Sequence, residues 1–153
     1  MIQIDYLADH PKLISQLSPM LLEQWREMLP EDTIATREAK LRRHLNRDTL
    51  PIAWVAHVDG AACGMAALRE QDLHGYQDRT PWLGGVFVAE PFRRHGLGAA
   101  LCQTVETNAR AMGYTTLYLF TLDKQDWYVR QGWTSDEPCT WRGHAGDIMS
   151  KKL

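Results

Sequence analysis

The fold is decided by residues 81–113, which read PWLGGVFVAEPFRRHGLGAALCQTVETNARAMG. Residues 83–88 form a short apolar run, rich in β-branched and aromatic side chains, that is typical of a buried strand. Gly84 and Gly85 lie inside this run, where glycine weakens a strand, so they indicate a bulge or a close approach by another backbone or a ligand. Pro91 cannot donate a hydrogen bond to a neighbouring strand, and the strand therefore ends before it.

A long amphipathic helix follows the strand. Its apolar residues recur at helical spacing, whereas polar residues such as Glu106 occupy the opposite, outward face. Gly113 suits the left-handed position that commonly ends a helix. The predicted buried stripe consists of Leu97, Ala100, Leu101, Val105, Ala109 and Met112.

The turn between this strand and this helix is basic and contains two glycines. A helix N-terminus presents unpaired backbone N–H groups and the positive end of the helix dipole, so it attracts anions. Gly96 and Gly98 would let an anion approach the backbone without a Cβ in the way, and Arg93 and Arg94 add positive charge. These features favour a phosphate or pyrophosphate site over an ordinary exposed turn.

Two motifs in the chain resemble those of a known family, the GNAT superfamily of N-acetyltransferases. Arg93-x-x-Gly96-x-Gly98 is similar to the family's Gln/Arg-x-x-Gly-x-Gly/Ala signature, and residues 127–133, WYVRQGW, are similar to its aromatic-Tyr-x-x-x-Gly-aromatic motif. The resemblance is clear from Ile52 onward and weak before it. It implies a mixed α/β fold of the α+β kind, with a central, mostly antiparallel sheet whose central strands splay apart and which helices flank.

Periodicity and turn residues predict the remaining elements. An Asp59-Gly60 turn joins two apolar runs and indicates a β-hairpin. Pro19 interrupts the first helical pattern, which leaves one kinked helix or two short helices open, and Thr36 is the predicted N-cap of the next helix. The predicted strands are 2–7, 52–58, 61–68, 116–120, 133–141 and 146–151, and the other predicted helices are 11–28, 36–45 and 126–131.

Size and composition indicate one soluble domain spanning residues 1–153, which is long enough to bury a core without disulfides or a metal. Seventeen basic and 19 acidic residues give a net charge of −2, so neither nucleic acid nor a membrane is an expected partner. Cys63, Cys102 and Cys139 are odd in number and widely spaced, which is typical of small buried thiols in a reducing compartment. The N-terminus lacks the apolar run of a signal peptide, and a cytoplasmic protein is therefore expected.

The resemblance also implies a co-substrate, acetyl-coenzyme A, and no metal ion. The backbone of Val86, Phe87 and Val88 is expected to line the pantetheine arm and to offer an N–H to the thioester oxygen. Thr121 occupies a position where many family members have asparagine. The pyrophosphate is expected at the turn formed by Arg93, Arg94, His95, Gly96, Leu97, Gly98 and Ala99.

The catalytic prediction combines Tyr128 with the polar loop of residues 69–80. By its motif position, Tyr128 is the expected general acid that protonates the leaving thiolate. Many family members carry a glutamate on the cofactor strand near the position of Trp82, and this sequence has none there. Asp72 and Glu70 are therefore the leading candidates for the base, with His74 and Asp78 left open, and the loop as a whole is an acidic lip that would attract a cation.

Two classes of function remain open from the sequence. The favoured one is transfer of an acetyl group from acetyl-coenzyme A, by direct attack, to the primary amine of a cationic small molecule or peptide. The alternative is a non-catalytic sensor or partner module that holds an acyl-coenzyme A. A nucleotide-binding regulatory domain is disfavoured, because both the P-loop and the Gly-x-Gly-x-x-Gly signatures are missing. A homodimer is left open.

Overall fold

The computed structural model describes all residues from Met1 to Leu153. Its centre is a seven-stranded sheet with the spatial order β1-β2-β3-β4-β5-β7-β6. Every neighbouring pair of strands is antiparallel except β4 and β5, which are parallel. The strands are β1 (Gln3–Tyr6), β2 (Ile52–Val58), β3 (Ala61–Arg69), β4 (Trp82–Val88), β5 (Thr116–Thr121), β6 (Thr134–Trp141) and β7 (His144–Lys152). The helices are α1 (Ile14–Gln24), α2 (Ile34–Arg42), α3 (Leu97–Ala111) and α4 (Gln125–Arg130).

The predicted fold class is confirmed: the sheet is mostly antiparallel, and its central strands splay apart. Strands β4 and β5 share a single registered pair, Trp82 with Tyr118. Beyond that pair, the edge of β4 that faces β5 has no partner strand. The bulge predicted from the glycine pair is present, since the β3–β4 register shifts between Met65 and Ala67 and Gly85 has a φ of 60°. The splay and the bulge together open the middle of the sheet.

Helices cover both faces of the sheet. Helix α3 packs on one face through a core that includes Trp54, Leu101 and Leu119. Helices α1 and α2 pack on the other face through a second core that includes Leu17 and Val55. The strands alternate between these cores because successive side chains of a strand point to opposite faces.

The N-terminal helices differ from their prediction at both ends. The segment 11–28 begins as a 3-10 turn, Pro11–Leu13, continues as the single helix α1 through Pro19, and ends at Gln24. The N-cap of α2 is Thr33 rather than Thr36. Thr33 is extended and its hydroxyl accepts from the Thr36 N–H at 3.1 Å, while the Thr36 hydroxyl accepts from the Thr33 N–H at 2.9 Å. Thr36 is thus the inner member of a reciprocal cap, whose spacing resembles that of a capping box.

Helix α3 buries Leu97, Leu101, Val105 and Ala109 as predicted, but Glu106 does not face solvent. Glu106 is 5% exposed and pairs with the ammonium group of Lys151 on β7 at 2.8 Å. The pairing satisfies a carboxylate that would otherwise be costly to bury. Met112, predicted in the stripe, lies beyond the end of the helix and is exposed.

The three cysteines are all free and buried, which confirms their interpretation as small core side chains. Burial raises the pKa of each of the three thiols. None of the helices combines the length and the apolar character needed to cross a membrane.

Candidate active site

The opening between β4 and β5 leads into a cavity of about 750 Å³. Its walls come from β4, β5 and α4 on one side and from α1, α2 and the segment after β3 on the other. Among the residues predicted from sequence, Asp72, Val86, Thr121 and Tyr128 line this cavity. The motifs alone did not describe the N-terminal helical wall of this cavity. A cavity of this size can hold a small ligand or the reactive end of a larger one.

Tyr128 lies on the short helix α4, with its ring packed in an aromatic cluster and its hydroxyl left without a partner in the chain. The ring meets Trp127 and Trp133 edge-on, with centroid distances of 4.9 and 6.0 Å. The residue is only 9% exposed. Burial, reinforced by the neighbouring Cys102 and Asp72, raises its pKa well above the ordinary value of 10.0. Tyr128 is thus held as a protonated donor at the cavity wall.

Asp72 is held by a buried chain of polar side chains. Its Oδ1 accepts from the Arg69 guanidinium at 2.8 Å, and the Arg69 Nε in turn donates to His44 Nε2 at 3.0 Å. His44 Nδ1 lies 2.8 Å from the Lys40 carbonyl, so its Nδ1 carries the proton and its Nε2 is free to accept. Burial, followed by the charge of Arg69, lowers the pKa of His44 to about 4 and keeps the ring neutral. Three residues therefore orient one carboxylate.

The two glycines of β4 make room for this ion pair. A Cβ on Gly84 would lie 2.7 Å from both an Arg69 nitrogen and the Asp72 Oδ2, and one on Gly85 would lie 2.9 Å from Arg69. The sequence predicted a close approach to these two glycines, and the side chains of Arg69 and Asp72 make it. As a result, the Asp72 carboxylate lies directly over the backbone of β4.

The basic turn lies at the far end of β4 and does not line the cavity. Gly96 is the N-cap of α3 in the left-handed conformation, with a φ of 80° and no side chain capping the helix. Its first N–H groups are therefore free to bind an anion. Arg94 and His95 are exposed, whereas Arg93 donates from Nε to the Val88 carbonyl at 2.8 Å and from Nη2 to Gln24 at 3.2 Å.

Other residues predicted for the site lie outside the cavity. Glu70 is exposed and lines a second, shallower cavity of about 480 Å³. Phe87 is buried in the core beneath α1 and α2. Val88 approaches the turn, because a Cβ on Gly98 would lie 3.7 Å from its side chain and 3.6 Å from Trp127. The strand, the turn and α4 are thus in direct contact.

Sequence reasoning missed Lys40, Arg69 and His44. None of the three belongs to a motif. Lys40 lies between the two cavities and has no carboxylate partner; burial, followed by the charges of Arg69 and Arg37, lowers its pKa to about 8. The sequence did contain one indication of this pair: Lys40 and His44 are four residues apart, a spacing that places two side chains on one face of a helix.

Comparisons with known proteins identify the class. A sequence profile of the acetyltransferase (GNAT) family matches residues 16–133. Since the match covers more than half of the chain, the chain belongs to this family and is an acetyl-coenzyme A-dependent N-acetyltransferase. No curated protein sequence matches it.

Solved structures share the fold over nearly the whole chain. An aminoglycoside 6'-acetyltransferase type Ii is 21% identical, with a TM-score of 0.77 and coverage of 98% of this chain and 96% of that one. An aminoglycoside 6'-N-acetyltransferase complexed with coenzyme A is 19% identical, with a TM-score of 0.74 and the same coverage. An acetyltransferase from Streptococcus agalactiae is 21% identical, with a TM-score of 0.73 and coverage of 99% and 98%.

Proposed function

We propose that this protein transfers the acetyl group of acetyl-coenzyme A to the primary amine of a small molecule or peptide by direct attack. The observation that carries the proposal is the meeting of three features in one cavity. They are the unpaired edge of β4, the Tyr128 hydroxyl and the oriented Asp72 carboxylate. An edge without a partner strand offers backbone donors and acceptors to an extended ligand, as β-augmentation does.

In this proposal the co-substrate extends from the basic turn, along β4, into the cavity. The uncapped N-terminus of α3 and the exposed Arg94 suit the pyrophosphate. The pantetheine arm then follows β4 past Val88 and Val86, and the thioester reaches the cavity between Tyr128 and Asp72. In this arrangement Arg93 is a positioning residue, because its guanidinium joins the turn to the end of β4 and to α1.

The chemistry requires three proton transfers and one carbon–sulfur cleavage. Asp72, directly or through a water, takes a proton from the ammonium, and the neutral nitrogen attacks the thioester carbon. A β4 backbone N–H stabilises the resulting oxyanion, an interaction worth roughly 3–4 kcal/mol when it is lost. The carbon–sulfur bond then breaks, and Tyr128 gives its proton to the departing thiolate. The nitrogen releases its second proton to the tyrosinate, which leaves the neutral amide and restores Tyr128, and Asp72 returns its proton to solvent.

Direct attack is favoured over an acyl-enzyme because the chain offers no activated thiol at the site. Cys102 is the cysteine near Tyr128, and burial raises its pKa to about 12. Since the thiolate is the nucleophilic form, this side chain stays inert. An acetyl group therefore has no cysteine to occupy between the two substrates.

The acceptor arrives as a cation, and the cavity offers charges of both signs to receive it. Glu23 and Glu27, from the end of α1 and the turn after it, line the cavity; Glu23 already pairs with Arg26 at 2.6 Å, so Glu27 is the carboxylate left to attract an ammonium group. Lys40 has no carboxylate partner, so it suits an acceptor that carries an anionic or oxygen-rich group beside its amine. The acidic lip predicted from the loop after β3 is therefore replaced, in this proposal, by carboxylates of the N-terminal wall together with Asp72.

The test is coenzyme A release measured with polyamines, aminoglycosides, amino acids and peptides with free N-termini. We expect release that depends on the acceptor, together with an acetylated product and no burst when the acceptor is omitted. Coenzyme A should also raise the melting temperature more than ATP or NAD at equal concentration, because only a ligand of the native state stabilises it. Stabilisation by coenzyme A without any acetylated product would support the sensor module instead.

A further inference from the structure

A second cluster of ligand-type side chains lies on the sheet edge, outside the cavity. It comprises Asp5 on β1, His57 on β2, and His10 in the link between β1 and α1. One ligand atom from each residue lies within 4.8 Å of the others. We propose that this Asp5–His10–His57 cluster is a binding site for a divalent transition-metal ion, with Zn²⁺ the favoured ion.

The geometry brings both imidazoles to the same carboxylate oxygen. Asp5 Oδ2 lies 2.7 Å from His57 Nε2 and 3.3 Å from His10 Nε2, and the two rings are 4.3 Å apart between centroids. Two ligand atoms on a tetrahedral Zn²⁺, each bonded at about 2.0 Å, are about 3.3 Å apart. The His10–Asp5 distance already matches this spacing. The His57–Asp5 distance must lengthen by about 0.6 Å, which a side-chain rotation supplies.

The backbone aims these side chains at one another. Asp5 pairs with Val55 in the antiparallel β1–β2 register, so His57, two residues further along β2, is its diagonal neighbour on the same face of the sheet. His10 follows a 3-10 turn, Leu7–Asp9, which folds the chain back over β1. Three separate segments thus converge on one point.

The donor set identifies the class of ion. Two neutral imidazoles and one carboxylate suit Zn²⁺ and other borderline first-row ions, whereas Mg²⁺ and Ca²⁺ prefer oxygen ligands alone. Three protein ligands leave a fourth position for water, and the side chains of Asp5 and His10 are 40% and 29% exposed, so an ion can enter. Binding would replace the two imidazole protons that face Asp5 and would fasten β1 to β2 and to the start of the helical wall.

The experiment is calorimetric titration of the metal-free protein with ZnCl₂, repeated with His10→Asn and His57→Asn. We expect one Zn²⁺ per chain in the parent and at least tenfold weaker binding in each variant. Co²⁺ should give the intense visible absorption of a tetrahedral complex in the parent and lose it in both variants. MgCl₂ should give no binding.

The matched control is His144→Asn, which removes an exposed histidine at the β6–β7 turn. It should bind Zn²⁺ as the parent does. The three cysteines are buried and do not compete. Absence of stoichiometric binding by the parent would overturn the proposal, and so would equal affinity in His10→Asn or a loss confined to His144→Asn. Because the readout is metal binding, neither result bears on acetyl transfer.

Discussion

The two sides of the candidate active site are built on different principles. The co-substrate side, formed by β4, the basic turn and the start of α3, comes from one continuous stretch of 33 residues, 81–113, and depends mainly on backbone: an unpaired strand edge and an uncapped helix start. The opposite side is assembled from α1, α2 and the segment after β3, and depends on side chains such as Lys40, Arg69 and Asp72.

We expect this difference to separate binding of the co-substrate from selection of the acceptor. Backbone donors bind a co-substrate whatever the neighbouring side chains are. A wall of charged side chains, by contrast, binds according to the charges that it presents. We therefore expect the acceptor to be selected on the second side, where polar contacts join residues as distant in sequence as His44 and Arg69.

The largest expected effect is on the side-chain-built wall. Asp72→Asn removes the base and should lower kcat/KM on the order of 10³-fold, because an amine must lose its proton before it can attack. Steady-state kinetics at one pH, with the same acceptor for both proteins, measure this effect.

Glu70→Gln is the matched control for Asp72→Asn, since Glu70 is exposed and lines the other cavity. Its kcat/KM should stay within about twofold of the parent. The reverse pattern, with Glu70→Gln impaired and Asp72→Asn active, would assign the base to Glu70. Full kcat/KM in both variants would leave deprotonation of the amine to bulk water.

The next effect concerns Tyr128, which lies between the two sides. Tyr128→Phe should lower kcat about 100-fold and leave the affinity for coenzyme A unchanged, because it removes only a proton donor. Because burial raises the pKa of Tyr128, the hydroxyl stays protonated below pH 10, and kcat of the parent should not fall in that range through its deprotonation. Tyr118→Phe, on β5 against Trp82, is the control and should retain full kcat. Full activity in Tyr128→Phe would mean that solvent protonates the thiolate.

A smaller effect is expected on the backbone-built side. Gly98→Glu should weaken coenzyme A binding about tenfold by calorimetry, because a carboxylate in the first turn of α3 repels the pyrophosphate. The fold should persist, since a Cβ there meets Trp127 at an ordinary 3.6 Å and an acidic residue favours a helix start. Gly98→Gln has the same shape without the charge and should bind more tightly than Gly98→Glu. Unchanged affinity in a folded Gly98→Glu would remove the turn from the site.

The smallest expected effect is on stability, through Lys40. Its pKa falls from 10.5 to about 8 on folding, so between these pH values the unfolded chain holds a proton that the folded chain has lost. The unfolding free energy of the parent therefore rises with pH across this window. Lys40→Met should be more stable than the parent below pH 8, and the difference should shrink as pH approaches 10.5.

Urea unfolding at pH 7 and pH 10 measures this change in slope. Lys124→Met is the control, because Lys124 is exposed and shows no comparable burial. A stability gain for Lys40→Met that does not vary with pH would reflect packing alone and would contradict a depressed pKa in the folded state.

The sequence alone determined the strand, the turn and the helix of residues 81–113, because their signals are local. Apolar periodicity, a proline after the strand and glycine at the helix start each act through neighbours in the chain. The bulge at Gly85, the hairpin at Asp59-Gly60 and the place of Tyr128 before Gly132 follow from the same kind of signal. The family's motifs are local for the same reason.

Only the tertiary structure decided which carboxylate faces the splayed strand and what holds it there. Asp72 and Glu70 are two residues apart and equally acidic in sequence, yet one lies over Gly84 and the other faces a separate cavity. The same is true of Asp5, His10 and His57, whose meeting depends on the β1–β2 register and on the 3-10 turn before His10. Contacts between residues tens of positions apart depend on how helices and strands pack, and no local pattern records that packing.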